Sequence, residues 1–377
     1  MKLAVELIAL LLSAVLSVST LMVTAAAASY TAPPDWLVPW YVAPEEEETP
    51  AETVEAPPAA ETPPVKEPEP EPEDTSFTID LSIVGDCMLA TYKGQFYEGS
   101  FSWYVAHKAP AYFFEKVADI FKADDFTIAN LENVLTDNNL KEVAKSGSRV
   151  FWFKAPTYNR HILRAGSIEA VSLANNHTND YGTQGFQDTI AAVEDAGIQY
   201  GTNDRTFYLE KNGFVIAVIC NGLWNESQAS YIVTRLQTAS EKSDYQIVFY
   251  HGGTESVHKP EDWRVRATHK LVDAGADLVI GNHPHVLQPT EVYNGVNIIY
   301  SLGNFCYGGH TKPENRTVIY KMLLTIDEGR VQKQEVSFIP CYVYTGKVNN
   351  WQPAPITNET EKRYVLDFLA GKRILPY

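Results

Sequence analysis

Cysteine is scarce in this chain, four residues among 377, and no two stand at the C-x-x-C spacing of a structural zinc site. Three disulfide pairings are open to Cys87, Cys220, Cys306 and Cys341 if the chain is exported. Three of the four, however, sit at or just past the end of an expected strand and read as small buried hydrophobes. Basic residues are outnumbered, 30 Lys and Arg against 47 Asp and Glu. They form no stripe, which excludes nucleic acid as a partner. No internal repeat is present. What the sequence does have is a large apolar fraction, 45%, enough to bury an extensive core.

The amino-terminal stretch differs from the rest. Lys2 precedes an apolar run from Leu7 to Val23, and Thr24-Ala25-Ala26-Ala27-Ala28 offers small residues at A-x-A spacing. Residues 1–28 therefore read as a secretory signal cleaved near Ala28, though the run is also long enough to stay as a membrane anchor. No Cys stands at the cleavage position, which speaks against a lipid anchor. Residues 29–76 read as a disordered linker. From residue 31 onward this linker holds 12 of the 22 prolines and 11 Glu and 2 Asp against one Lys. Most of the formal charge of −17 thus belongs to the tether, and the body from 77 to 377 is nearly balanced. An exported, cell-envelope location follows from this reading.

The body alternates strands and helices. Strands are expected at Phe77–Val84, Phe126–Ala129, Ile168–Leu173, Phe214–Ile219, Gln246–Tyr250, Ala276–Ile280 and Val296–Tyr300. Helices are expected at Tyr112–Phe121, Thr157–Ala165, Asp262–Ala274 and Glu359–Ala370. A further helix is N-capped by Thr183 and closed by Gly197. A hairpin turns at Glu328-Gly329. Five of these strands run straight into polar clusters: Asp86, Asn130/Glu132, Asn176/His177, His251 and His283/His285. Each has an ordinary explanation taken singly. Mostly parallel pairing would gather all five on one edge of the sheet.

The last cluster is the sharpest. His283 and His285 flank Pro284 after the buried run Leu278-Val279-Ile280-Gly281. In extended backbone an i, i+2 pair puts both imidazoles on one side of the chain, with Pro284 holding them in place. Together the clusters offer two carboxylates, one carboxamide and three imidazoles as ligands. That donor set suits a divalent transition metal (Mn, Fe or Zn), one or two ions, able to activate water. His177, beside Asn176, stands as a candidate general acid, with Asp180 three residues later to orient it. A glycosidase pair made of Asp86 and Glu132 ranks last, because three converging histidines have no role in that mechanism.

Gly85-Asp86-x-Met88-Leu89, Asn130-Leu131-Glu132, Ser172-Leu173-Ala174-Asn175-Asn176-His177, His251-Gly252, His283-Pro284-His285-Val286-Leu287-Gln288 and Ser301-Leu302-Gly303-Asn304-Phe305 come in order. Together they resemble the CapA family of poly-γ-glutamate capsule biosynthesis proteins, relatives of calcineurin-like metallophosphoesterases. The resemblance spans roughly residues 79 to 307. It implies a four-layer α/β/β/α sandwich of the metallophosphoesterase type and a dimetal-type centre. Asp86, Glu132 as bridging carboxylate, Asn176, His251, His283 and His285 match the ligands, and His177 the substrate-facing neighbour. Met88 departs from the D-x-H of metallophosphoesterases, so one metal position lacks a ligand and unequal occupancy is expected. Asn282 stands where many relatives have His. Gly253 stands where many have Trp, which would leave a more open pocket. The resemblance implies work on an anionic cell-envelope polymer or its precursor, by a metal-dependent hydrolase or transferase. The alternative is a non-catalytic accessory subunit of a membrane polymer synthase or export complex.

Overall fold

The computed structural model describes residues 76–147, 150–308 and 314–377. The expected signal segment and all of the linker but Ser76 lie outside the described residues. Among the described residues no helix is long and apolar enough to cross a membrane.

The chain begins with β1 (Phe77–Cys87), β2 (Thr91–Tyr92), α1 (Phe101–His107) and α2 (Ala118–Phe121). It continues through β3 (Phe126–Leu131), β4 (Val134–Leu135), β5 (Phe153–Ala155), α3 (Arg160–Ala165), β6 (Ala170–Ser172), α4 (Gly182–Asp195) and β7 (Gln199–Gly201). The second half holds β8 (Thr206–Lys211), β9 (Phe214–Gly222), α5 (Ala229–Ser240), β10 (Tyr245–His251), α6 (Asp262–Asp273) and β11 (Leu278–Asn282). It ends in β12 (Thr290–Tyr293), β13 (Val296–Ile299), β14 (Thr317–Asp327), β15 (Arg330–Tyr342), β16 (Ala354–Pro355) and α7 (Glu359–Leu369).

Two large sheets result. One has seven strands in the order β16-β15-β14-β1-β3-β6-β7, the other six in the order β12-β13-β11-β10-β9-β8. A small third sheet, β2-β5-β4, lies apart from them in the pairing. In β1, Ile79, Leu81 and Ile83 point to one face, where they share a core with Ile216 and Val218 of β9 and Ile247 and Phe249 of β10. The two sheets therefore pack face to face. Val84 of β1, Ala129 of β3 and Val171 of β6 belong to a second core, with Phe113, Phe114, Phe121 and Leu163 from the helical segments. On the far side of the six-stranded sheet, α5 and α6 bury Ile232, Leu236, Ala267 and Leu271. Helices cover both outer faces, so the expected four-layer α/β/β/α sandwich is the observed one. Strands buried on both faces also explain the near-continuous apolar runs in β9 and β11.

Three expectations are corrected. Tyr112–Phe121 is not one helix but a 3-10 turn at Pro110–Phe113 followed by the one-turn α2, with Phe114 and Val117 outside helical geometry. Thr183 lies inside α4, whose cap residue is Tyr181 and makes no side-chain cap. The polar clusters do not share the edge of a single sheet. Asp86, Asn130, Glu132, Asn176 and His177 come from the seven-stranded sheet, while His251, His283 and His285 come from the six-stranded one.

A chain beginning at Phe77 is expected to fold by itself, because β1 pairs with β14 from its first residue, Phe77 opposite Ile326. Thermal unfolding of residues 77–377 beside the full chain checks this. A truncated protein that is soluble only with the acidic segment restored would refute the tether reading.

Candidate metal centre

The carboxyl ends of β1, β3, β6, β10 and β11 meet where the two sheets face each other. Their close approach depends on Gly85: a Cβ there would sit 1.8 Å from the carbonyl oxygen of Gly303, which accepts from Asp86 N at 3.0 Å. Asp86 is fully buried, and its Oδ2 accepts from the backbone N of His283 at 3.2 Å. The i, i+2 histidines are not extended. His283 and His285 both have left-handed backbone, φ 98° and 59°, conformations that non-glycine residues hold only where surrounding contacts impose them. Their rings diverge to 5.7 Å between centroids and join different groups of side chains.

His283 belongs with His251 and Asn176. His251 Nε2 lies 3.1 Å from His283 Nδ1 and 2.8 Å from Asn176 Oδ1, the latter on an exposed residue at the mouth. His285 belongs with Asp86: its Nδ1 is 3.2 Å from Asp86 Oδ2 and 2.9 Å from Asn304 Oδ1. Glu132 is common to both. Its Oε1 stands 3.6 Å from His251 Nε2, 3.8 Å from His285 Nε2 and 3.9 Å from His177 Nε2. Those distances are beyond hydrogen-bond reach. Two candidate ligand groups share Glu132, namely Glu132/His251/His283 and Asp86/Glu132/His285, each with ligand atoms within 4.8 Å of one another.

The electrostatics fit a cation. Glu132 is fully buried, and neither of its oxygens has a hydrogen-bond partner. A carboxylate so placed is costly unless positive charge reaches it. Burial, then the neighbouring Asp86, holds its carboxyl well above the usual range. Burial, then the charge of His285, pushes His283 down to about 3, and burial and His283 hold His251 well below the ordinary imidazole value. Both rings thus keep the neutral lone pairs a metal needs. His285 is the exception. Burial would lower it, but Glu132 and Asp86 outweigh that and lift it to about 9. Its imidazolium occupies the electrostatic role a metal ion would take over, releasing the proton.

His177 stands apart from both groups. Its Nδ1 is 2.8 Å from Asp180 Oδ2, so the aspartate orients the ring and leaves Nε2 facing the centre. Asp180 is itself fixed by Lys145 and by the backbone N of Phe153. Burial lowers the His177 pKa, with Asp180 opposing. Aromatic rings flank the mouth, Phe153 against His177 at 4.8 Å and Trp224 against His283 at 4.9 Å.

The structure brings every candidate ligand together, and it adds residues that sequence reasoning left without a role. Asn130 Nδ2 donates to Asp86 Oδ1 at 2.7 Å and lies 3.2 Å from His251 Nδ1, linking the two sheets. Asn304 holds His285. Both stood in quoted motifs, which was the available signal. Met88 is 2% exposed and belongs to the outer core with Phe101 and Phe113. Gly253 does not open the pocket: its φ is +111°, and a Cβ would meet Nη1 of the buried Arg264 at 2.1 Å. The guanidinium fills that space.

The family profile described as Bacterial capsule synthesis protein PGA_cap matches residues 80–308. The PGA biosynthesis protein CapA of Bacillus subtilis (strain 168) is 28% identical over 330 residues, covering 81% of this chain and 79% of that protein. The capsule biosynthesis protein CapA of Bacillus anthracis is 27% identical, covering 76% and 72%. A probable polyglutamine synthesis accessory protein of Mycobacterium tuberculosis (strain ATCC 25618 / H37Rv) is 25% identical, covering 56% and 71%.

Proposed function

The chain belongs to the bacterial capsule synthesis protein family PGA_cap, and from that membership we propose that it works in the synthesis of an anionic envelope polymer as an exported, metal-dependent hydrolase or transferase. The polymer class, poly-γ-glutamate or a precursor, follows from the resemblance to the CapA family, whose Bacillus subtilis relative is named for PGA biosynthesis and whose Bacillus anthracis relative is named for capsule biosynthesis. One observation carries the catalytic part: Glu132, fully buried and unpartnered, is shared by two ligand groups that open towards His177. Asp86, Glu132, Asn176, His251, His283 and His285 would hold the metal. Bound there, Mn, Fe or Zn supplies activation of water and stabilisation of negative charge on an acyl or phosphoryl oxygen.

The protein side chains do the rest. Asp180 keeps the His177 proton on Nδ1, so Nε2 takes a proton from the attacking water or hydroxyl and hands it to the leaving group. Phe153 and Trp224 wall the approach and limit which side of the centre a chain can enter. Export rests on the apolar run at the amino terminus.

The accessory reading has one observation in its favour: Met88 lies in the core, which leaves Asp86/Glu132/His285 a donor short. Metal-loaded protein incubated with poly-γ-glutamate and with a panel of phosphoesters tests the choice. Turnover that a chelator stops and Mn or Zn restores is the expected result. A fully metallated protein that alters polymer yield in cells but turns over nothing would overturn catalysis and leave the accessory role.

A further inference from the structure

The two ligand groups are unequal. Glu132, Asn176, His251 and His283 place four donors around one position, whereas Asp86, Glu132 and His285 place three around the other. Glu255 stands at the mouth between them. It is exposed, and its carboxylate lies within 4.8 Å of ligand atoms of both His283 and His285, one from each group. We propose that Glu255 is a metal ligand of this centre, supplying from the solvent side the donor that Met88 withholds. The inference rests on the metal-centre reading above.

The position of Glu255 is not that of a free surface carboxylate. The loop after β10 is tied to the histidine segment at both ends: Gly252 N donates to Asn282 O at 3.0 Å, and Ser256 N to Pro284 O at 2.8 Å. Ser256 takes left-handed backbone, φ 60°, to make that second bond. From below, Arg264 Nη1 donates to Gly252 O at 2.7 Å, and its Nη2 reaches Gln288 Oε1 beyond His285. Glu261 balances that guanidinium with Oε2 3.0 Å from Nε. Three separate contacts thus fix a five-residue turn whose only acidic side chain is aimed at two imidazoles. That carboxylate forms a candidate ligand group of its own with the two rings, all ligand atoms within 4.8 Å of one another. An oxygen donor there suits the same hard-to-borderline metals as Asp86 and Glu132.

Glu132 and Glu255 then divide the work. The first spans both groups from the floor and is buried. The second spans them from the mouth and is the ligand that solvent can reach.

Mn²⁺ and Zn²⁺ titrations of the full chain, stripped of metal, provide the test. Parent and Glu255→Gln are compared, with Mn²⁺ pair coupling followed by electron paramagnetic resonance. Glu255 is exposed, so unfolding midpoints of the metal-free forms should coincide. The expected result is at least a 10-fold weaker affinity for one ion and loss of the coupled signal, with Glu255→Asp recovering part of it. Unchanged affinity and coupling in Glu255→Gln, with metal still bound, would overturn this inference and leave the centre standing. A parent chain that binds neither ion overturns both readings.

Discussion

Replacing His283 and His285 together by alanine is expected to strip the protein of bound metal. The two imidazoles are close in sequence but serve different groups, His283 beside His251 and Asn176, His285 beside Asp86. The double variant therefore takes a donor from each position, and Glu132 cannot hold both ions without them. Loss of a supporting outer partner alone costs ~10–100-fold in affinity, so losing one first-hand donor at each position should exceed that. Elemental analysis of parent and variant after identical purification gives the answer, with unfolding of the metal-free proteins compared because both positions carry left-handed backbone. Equal metal in the two would end the proposal. The single variants should differ. His285→Ala should release the weaker ion, since that group has fewer donors, and should spare the ion beside His251.

Much of this centre is legible in the sequence, for a local reason. A strand buried on both faces is largely apolar, so polar residues at or just past its carboxyl end stand out: Asp86, Asn130, His251 and the His283 pair are legible that way. What could not be read is the pairing. The strand that meets β1 on one side is β14, more than two hundred residues later and antiparallel. Nothing in the local pattern says that Asp86 and His283 come from different sheets. The divergence of His283 and His285 was hidden for a similar reason. Period-two geometry assumes extended backbone, and the contacts of His283 N with Asp86 and of His285 with Asn304 override it. At Tyr112–Phe121 the expected single helix is not what forms. Phe113, Phe114, Val117 and Phe121 are all buried, yet they reach the core from a 3-10 turn and a single helical turn rather than from one helix. In α5, Ala229, Ile232, Leu236 and Ala239 recur at helical spacing and are buried, but polar residues between them blur the pattern in the sequence. The strands β2, β4 and β5 are two or three residues long, too short for any periodicity to mark them.

The change with the largest expected effect on turnover is His177→Ala. Its ring is buried, held on one nitrogen by Asp180 at 2.8 Å, and faces the centre with the other at 3.9 Å from Glu132. His177 lies outside every candidate ligand group and its other nitrogen is held by Asp180, which suits a group acting on substrate seated beside the centre. Removing it should leave metal content unchanged and lower turnover by ~10²–10⁴-fold, the usual size of a proton-transfer contribution. Asp180→Asn should lose less. The asparagine can still hold the ring, but it no longer favours the imidazolium that forms when Nε2 takes up a proton. The pair of variants separates three roles. A His177→Ala protein that loses metal as the His283 and His285 variant does would make His177 a ligand. One that keeps metal and supports normal polymer production in cells would make the site a scaffold, since a catalyst cannot lose its proton carrier without slowing. Retained metal with a steep loss of turnover, milder in Asp180→Asn, is what a histidine oriented by Asp180 and aimed past the metal should give.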